Sequence, residues 1–173
     1  KVWLNNGSGS FSDSGQSLPS LGSTESRGVS LGDVDGDGDL DAFIVRGFTG
    51  TGNKDNKVWL NDGSGSFSDS GQSLGSSMSL DVTLGDLDGD GDLDAFVTNA
   101  GNPGDTGNKV WLNNGSGSFT DSGQSLGSSK SYDVALGDVD SDGALDAFVT
   151  NIEGNKVWLN GLLTVSSKTP AAN

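Results

Sequence analysis

Cysteine and histidine are both absent from the 173 residues. Disulfides, thiol nucleophiles, Ser-His-Asp triads and zinc sites of the Cys/His kind are therefore excluded. Basic residues are scarce, nine Lys and Arg against 24 Asp and Glu, giving a formal charge of −15. That sign argues against a phosphate backbone or an anionic membrane as partner, and for cations. Hydrophobic residues make up only 31%, so the core is expected to be thin and repeated rather than one thick globule. No run of about 18 apolar residues offers a membrane-spanning helix. What abounds is glycine, 29 residues, which with serine fills close to a third of the chain. Without a period such a share reads as a disordered linker; with one it reads as turn chemistry.

The period is there. Residues 57–75 read KVWLNDGSGSFSDSGQSLG and residues 109–127 read KVWLNNGSGSFTDSGQSLG, identical at 17 of 19 positions. The first 18 residues repeat this pattern, and Lys156-Val157-Trp158-Leu159-Asn160 opens a fourth copy. A second module alternates with it: LGDVDGDGDLDAFIV from Leu31, LGDLDGDGDLDAFVT from Leu84 and LGDVDSDGALDAFVT from Leu136. Each unit of roughly 50 residues reads as four short strands. The first precedes the aspartate cluster, as in Asp81-Val82-Thr83-Leu84. The second follows it, from Leu93 to Thr98. Lys109 to Asn113 is the third, and the fourth begins at Phe119. Asn114-Gly115 marks a hairpin, because both residues tolerate positive φ. No segment keeps a 3.6-residue apolar period, so almost no helix is expected.

Four-stranded units recurring at this interval predict an all-β chain of β-propeller blades. The boundaries read as a partial blade at 1–27, blades at 28–79 and 80–131, a partial blade at 132–165 and a tail at 166–173, with 162–165 a candidate last strand. That makes about three to three and a half blades, fewer than the four or more of a closed ring. Ring completion is expected from more chain or from other copies of this one.

The chemistry sits in Asp-x-Asp-x-Asp-Gly-x-x-Asp, present three times. Asp33, Asp35, Asp37 and Asp41 hold positions 1, 3, 5 and 9 of the first loop; Asp86, Asp88, Asp90 and Asp94 those of the second; Asp138, Asp140, Asp142 and Asp146 those of the third. Hard oxygens at alternating positions around a tight turn suit Ca²⁺, which takes about six to eight oxygens at roughly 2.3–2.6 Å. Gly38, Gly91 and Gly143 at position 6 permit the turn. Position 7 is expected to ligate through its backbone carbonyl, so its side chain is free to vary as Asp39, Asp92 and Ala144. Apolar positions 2 (Val34, Leu87, Val139) and 8 (Leu40, Leu93, Leu145) are expected to pin each loop onto its sheet. An EF-hand is excluded, because its bidentate Glu at position 12 is replaced by Ile44, Val97 and Val149. Mg²⁺, which prefers a compact octahedron with retained waters, fits less well. About three structural Ca²⁺ per chain would take the formal charge from −15 to −9.

The run Leu-Gly-Asp-x-Asp-Gly-Asp-Gly-Asp-Leu-Asp-Ala-Phe followed by Lys-Val-Trp-Leu-Asn resembles the FG-GAP/VCBS repeats of bacterial surface proteins. More distantly it is similar to the calcium-binding blades of integrin α-subunits. The resemblance covers residues 1–160. It implies a propeller, usually seven-bladed, with Ca²⁺ in the loop between the first two strands of a blade. The Phe-Gly and Gly-Ala-Pro landmarks of integrins are missing here.

Trp3, Trp59, Trp111 and Trp158 lie mid-strand in one frame, which predicts packing within or between blades rather than sugar stacking. The irregular loops 50–56 and 100–107 are where a binding face would differ between blades. The functional expectation is a non-enzymatic, secreted or cell-surface calcium-binding module for adhesion or surface assembly, with protein or glycan ligands and no nucleic acid. Alternatives are a propeller lectin and an accessory domain of a larger secreted enzyme.

Overall fold

The computed structural model describes residues 1–18, 25–47, 55–100 and 107–161. These residues form thirteen strands and no helix. Strands β1 (Trp3–Asn5) and β2 (Phe11–Asp13) make a hairpin, followed by an antiparallel sheet of β3 (Glu25–Gly32), β4 (Asp41–Gly47), β5 (Lys57–Asn61) and β6 (Phe67–Asp69). A second four-stranded sheet contains β7 (Ser79–Gly85), β8 (Asp94–Asn99), β9 (Lys109–Asn113) and β10 (Phe119–Asp121). The last has three strands, β11 (Ser131–Gly137), β12 (Asp146–Asn151) and β13 (Lys156–Trp158). Every sheet runs in chain order and the row does not close: the chain is all-β and built as partial propeller blades. The candidate strand at 162–165, the tail and most of the two irregular loops lie outside the described residues.

The third strand and the start of the fourth fall at Lys109 and Phe119, where the repeat places them. The Asn-Gly hairpin is longer than a two-residue turn: Asn113 pairs with Phe119, and the five residues between them are organised by one side chain. Asn114 Oδ1 accepts the Ser116 N–H at 3.1 Å, the Ser116 hydroxyl at 2.8 Å and the Ser118 N–H at 3.3 Å. Asp62 does the same in the preceding repeat, which is why Asp and Asn interchange there.

Alternate residues of a strand face opposite neighbours, and each sheet is sandwiched by that rule. Phe43, Val45 and Val58 of the first four-stranded sheet meet Val82, Ala95, Val97, Trp111 and Phe119 of the second. Phe43 and Phe119 pack edge to face, 5.2 Å between centroids. The opposite face of that second sheet, Phe96 and Val110, packs on Val134, Ala147 and Val149. At the two ends of the row the same positions lack a neighbour among the described residues. Val29 is 58% exposed where Val82 is 3%, and Phe148 is 43% exposed where Phe96 is 3%.

Loop positions 2 and 8 depart from expectation in their target. They reach the neighbouring sheet as well as their own. Val34 joins the first inter-sheet core and Leu87 packs against the second, both toward the following sheet. Leu93 and Leu145 reach back over Gly32 and Gly85, where an added Cβ would crowd their methyl groups. Leu40 and Val139, which meet no counterpart strands on the relevant side among the described residues, are 56% and 57% exposed.

Where β7 and β11 meet, Asp81 lies beside Asp133, and its Oδ2 accepts the Val134 N–H at 3.1 Å. Burial, together with a hydrogen bond to the Asp133 carboxyl, pushes Asp81 up to about 6 from the ordinary 3.8. The folded chain keeps this proton at pH values where the unfolded chain has released it. Stability gained from it is therefore fully present below about pH 4 and lost as pH rises to about 6. Asp81→Asn is expected to remove that fall and to stabilise the chain at neutral pH by about 1 kcal/mol, the half-exposed setting screening the rest. Urea melts of both chains on either side of this window measure it; a wild-type-to-variant gap that does not change with pH contradicts it.

Candidate metal centre

Each aspartate loop joins the first two strands of a sheet, at β3–β4, β7–β8 and β11–β12. The loops fold around their first carboxylate. Asp33 Oδ1 accepts the Gly36 N–H at 2.8 Å and its Oδ2 the Gly38 N–H at 3.0 Å; Asp86 receives Gly89 and Gly91 at 2.7 and 3.1 Å. Asp138 receives Asp142 and Gly143 at 3.2 and 3.1 Å. Position 4 requires positive φ: Gly36 and Gly89 adopt 80° and 83°, and the third loop places Ser141 there at 64°. A non-glycine residue in that region costs about 1 kcal/mol.

This folding brings carboxylates together. Oxygens of Asp33, Asp35 and Asp37 lie within 4.8 Å of one another, as do those of Asp86, Asp88 and Asp90, and of Asp138, Asp140 and Asp146. Asp142, at position 5 of the third loop, stands outside its trio, and position 9 takes its place. The crowding is felt electrostatically. Burial first, then the charges of Asp41, Asp37 and Asp33, raise Asp35 above the usual carboxylate range. Side chains at position 7 turn elsewhere: Asp39 lies against Gly63, and Asp92 against Gly115, so closely that a side chain at either glycine would collide with it.

Position 9 has a second occupation. Asp41, Asp94 and Asp146 are buried, and each spans two backbone donors. Asp94 Oδ2 accepts the Leu87 N–H at 2.9 Å and Oδ1 the Asn113 N–H at 2.8 Å. Asp41 and Asp146 repeat this with Val34 and Asn61, and with Val139 and Asn160, at 2.8–3.0 Å. Such a carboxylate locks loop position 2 to the end of the third strand. Burial outweighs these bonds at Asp94 and raises it; in the end sheet the bonds win at Asp146 and lower it.

The donor set fits a calcium ion. It offers oxygen ligands only, and three carboxylates of each loop already converge. Asp33, Asp35, Asp37, Asp41 and the Asp39 carbonyl would hold the first ion, with the equivalent residues of the other loops holding theirs.

Sequence reasoning passed over two residue types that carry the repeat. Asn113 and Asn160 donate from Nδ2 to the carbonyl at position 2 of the preceding loop, Val34 and Leu87, at 2.8 and 2.7 Å. Gln16 and Gln72 clamp the backbone of the next fourth strand. Gln72 Nε2 donates to the Gly117 carbonyl at 2.6 Å, and its Oε1 accepts the Phe119 N–H at 2.8 Å. Their recurrence in Asp-Ser-Gly-Gln-Ser-Leu was the available signal.

A search of curated proteins finds no significant match to the chain. A family model described as FG-GAP-like repeat matches it three times, at residues 1–44, 45–97 and 86–149. With those matches spanning the strands, loops and joints described above, the chain belongs to the FG-GAP-like repeat family.

Proposed function

We propose that this chain is a non-enzymatic, calcium-stabilised propeller module that works outside the cell in adhesion or surface assembly. The observation that carries the metal reading is the convergence of three carboxylates in each of three successive loops. A bound Ca²⁺ would supply positive charge that offsets the mutual repulsion of four aspartates within nine residues. The protein's own residues do the rest: position 1 folds the loop, position 9 fastens it to the third strand, and position 2 docks it on the next sheet. Roughly half of all Asp and Glu are committed to these loops, which supports a structural use of the acids over an acid–base one. The apolar end faces are where further repeats, from more chain or from other copies, would stack. Trp59 and Trp111 are buried at 6% and 8% exposure, so where neighbours are present these rings pack rather than present a sugar-stacking face.

Calorimetric titration of calcium-stripped chain is expected to give three Ca²⁺ per chain. Asp35→Asn, Asp88→Asn and Asp140→Asn should each remove one site, and Mg²⁺ should not compete at equal concentration. A chain that takes up no Ca²⁺, or whose stoichiometry ignores these substitutions, sinks the reading.

A further inference from the structure

Asn-Gly occurs three times in the chain, at residues 6–7, 114–115 and 160–161, and the fold treats the three differently. Asn6 and Asn114 are exposed in hairpins, each curled over the glycine that follows it. Asn114 Oδ1 accepts the Ser116 N–H, the Ser116 hydroxyl and the Ser118 N–H at 3.1, 2.8 and 3.3 Å. Asn6 Oδ1 accepts the same three groups from Ser8 and Ser10 at 2.9, 2.8 and 3.3 Å. A side-chain oxygen that reaches the amide two residues on lays its own carbonyl carbon across the glycine nitrogen between. Asn160 is held elsewhere: its Nδ2 donates at 2.7 Å to the carbonyl of Leu87, 73 residues away across the joint. Gly115 is required by the fold, with φ at 72° and the Asp92 carboxylate where a Cβ would stand. Its nitrogen therefore has no side chain to screen it.

A bare nitrogen beside an amide carbon whose oxygen is held by three donors is set up for attack, since those donors stabilise the oxyanion that forms. We propose that Asn114, and Asn6 with it, is a site of self-modification by loss of ammonia. Hydroxide removes the Gly115 amide proton, and the electron pair of that nitrogen forms a bond to Asn114 Cγ. The Cγ–Nδ2 bond breaks, and Nδ2 leaves as ammonia with a proton taken from water. Water then opens the cyclic imide. Opening at Cγ gives aspartate; opening at the main-chain carbonyl gives isoaspartate, which inserts a methylene carbon into the main chain. The two products differ in effect. Aspartate fits, because Asp62 already makes the same three bonds at 2.7–3.3 Å in the preceding repeat. Isoaspartate lengthens the hairpin just before Gly117 and Phe119, which fasten this sheet to the one before it. The Gly117 N–H donates to the Val34 carbonyl at 2.8 Å, and Gln72 clamps the backbone of both residues. At Asn114 the reaction is thus a timer that loosens a joint.

The test incubates the full chain in mildly alkaline calcium buffer made with heavy-oxygen water, either folded or in urea, and maps its peptides by mass spectrometry. In the folded chain residues 6 and 114 are expected to convert, with heavy oxygen incorporated, about ten-fold or more faster than residue 160. In urea the three rates should converge, because the side-chain bonds that set them apart are gone. In an Asn6→Asp background, chain carrying isoaspartate at 114, separated by chromatography, should melt several degrees below the unmodified chain. Asn114→Asp in the same background should melt with the unmodified chain. Equal conversion of all three sites in the folded chain, or none at residue 114, overturns the modification site. Isoaspartyl chain that melts with its parent overturns the timer.

Discussion

Stripping calcium with EDTA is expected to lower the midpoint of thermal unfolding by about 15 °C or more. The size follows from linkage. A ligand present at about 100 times its dissociation constant stabilises the folded state by roughly 2.7 kcal/mol, and three such sites would supply about 8 kcal/mol. Domains of this size have a total stability of about 5–15 kcal/mol and shift by roughly 2–4 °C per kcal/mol. The chain is poorly placed to do without the ions. Its apolar content is 31%, and its formal charge is −15. Without metal, the carboxylates of Asp33, Asp35 and Asp37 stay within 4.8 Å of one another and unneutralised. Concentrated sodium chloride separates site binding from general screening: it shortens the Debye length to about 3 Å at 1 M, yet should restore only a small part of the lost stability. Coincident melting curves in calcium and in EDTA would contradict the prediction.

The periodic parts of this structure were legible because each is written in a local pattern. Alternating Val-x-Leu before the loop and Ala-Phe-Val after it fixes two strands and their two faces. Asp at every second position around a glycine marks a cation loop. What a strand's period cannot state is which face meets which neighbour. Val29 and Val82 occupy the same place in the repeat, yet one is 58% exposed and the other 3%. The difference lies in what precedes each sheet, among the described residues only the β1–β2 hairpin for Val29 and a four-stranded sheet for Val82, not in the residues around them. The same limit hid the target of Val34 and Leu93, whose apolar character is visible but whose neighbours Gly117 and Gly32 lie 83 and 61 residues away. Gln72 is harder still: a glutamine between Gly and Ser reads as turn filler, and only the fold brings it against Phe119. Position 9 shows the reverse difficulty. Its spacing announces a ligand so strongly that a second, purely structural duty goes unnoticed.

That duty makes Asp94 the residue whose loss should weigh most. It is fully buried, and its two oxygens satisfy the N–H groups of Leu87 and Asn113 at 2.9 and 2.8 Å. Asp94→Ala orphans both donors inside the second sheet, each at a cost of roughly 1–3 kcal/mol, so a loss of about 4 kcal/mol is expected. Asp94→Asn keeps one acceptor but turns an NH₂ group toward the other N–H, for a loss of about 2 kcal/mol. Calcium distinguishes the two duties. If position 9 acted only as a ligand, its removal would cost stability in calcium and nothing in EDTA. Because it also ties the loop to the third strand, most of the Asp94→Ala loss should persist in EDTA. Asp88→Asn supplies the contrast: exposed and outside this pair of backbone bonds, it should cost stability in calcium and slightly raise it in EDTA, where one repelling charge has gone. Denaturant melts of the three variants in both buffers decide the matter. An Asp94→Ala penalty confined to calcium would reduce position 9 to metal ligation alone, and the lock between loop and third strand would have to be carried by other bonds.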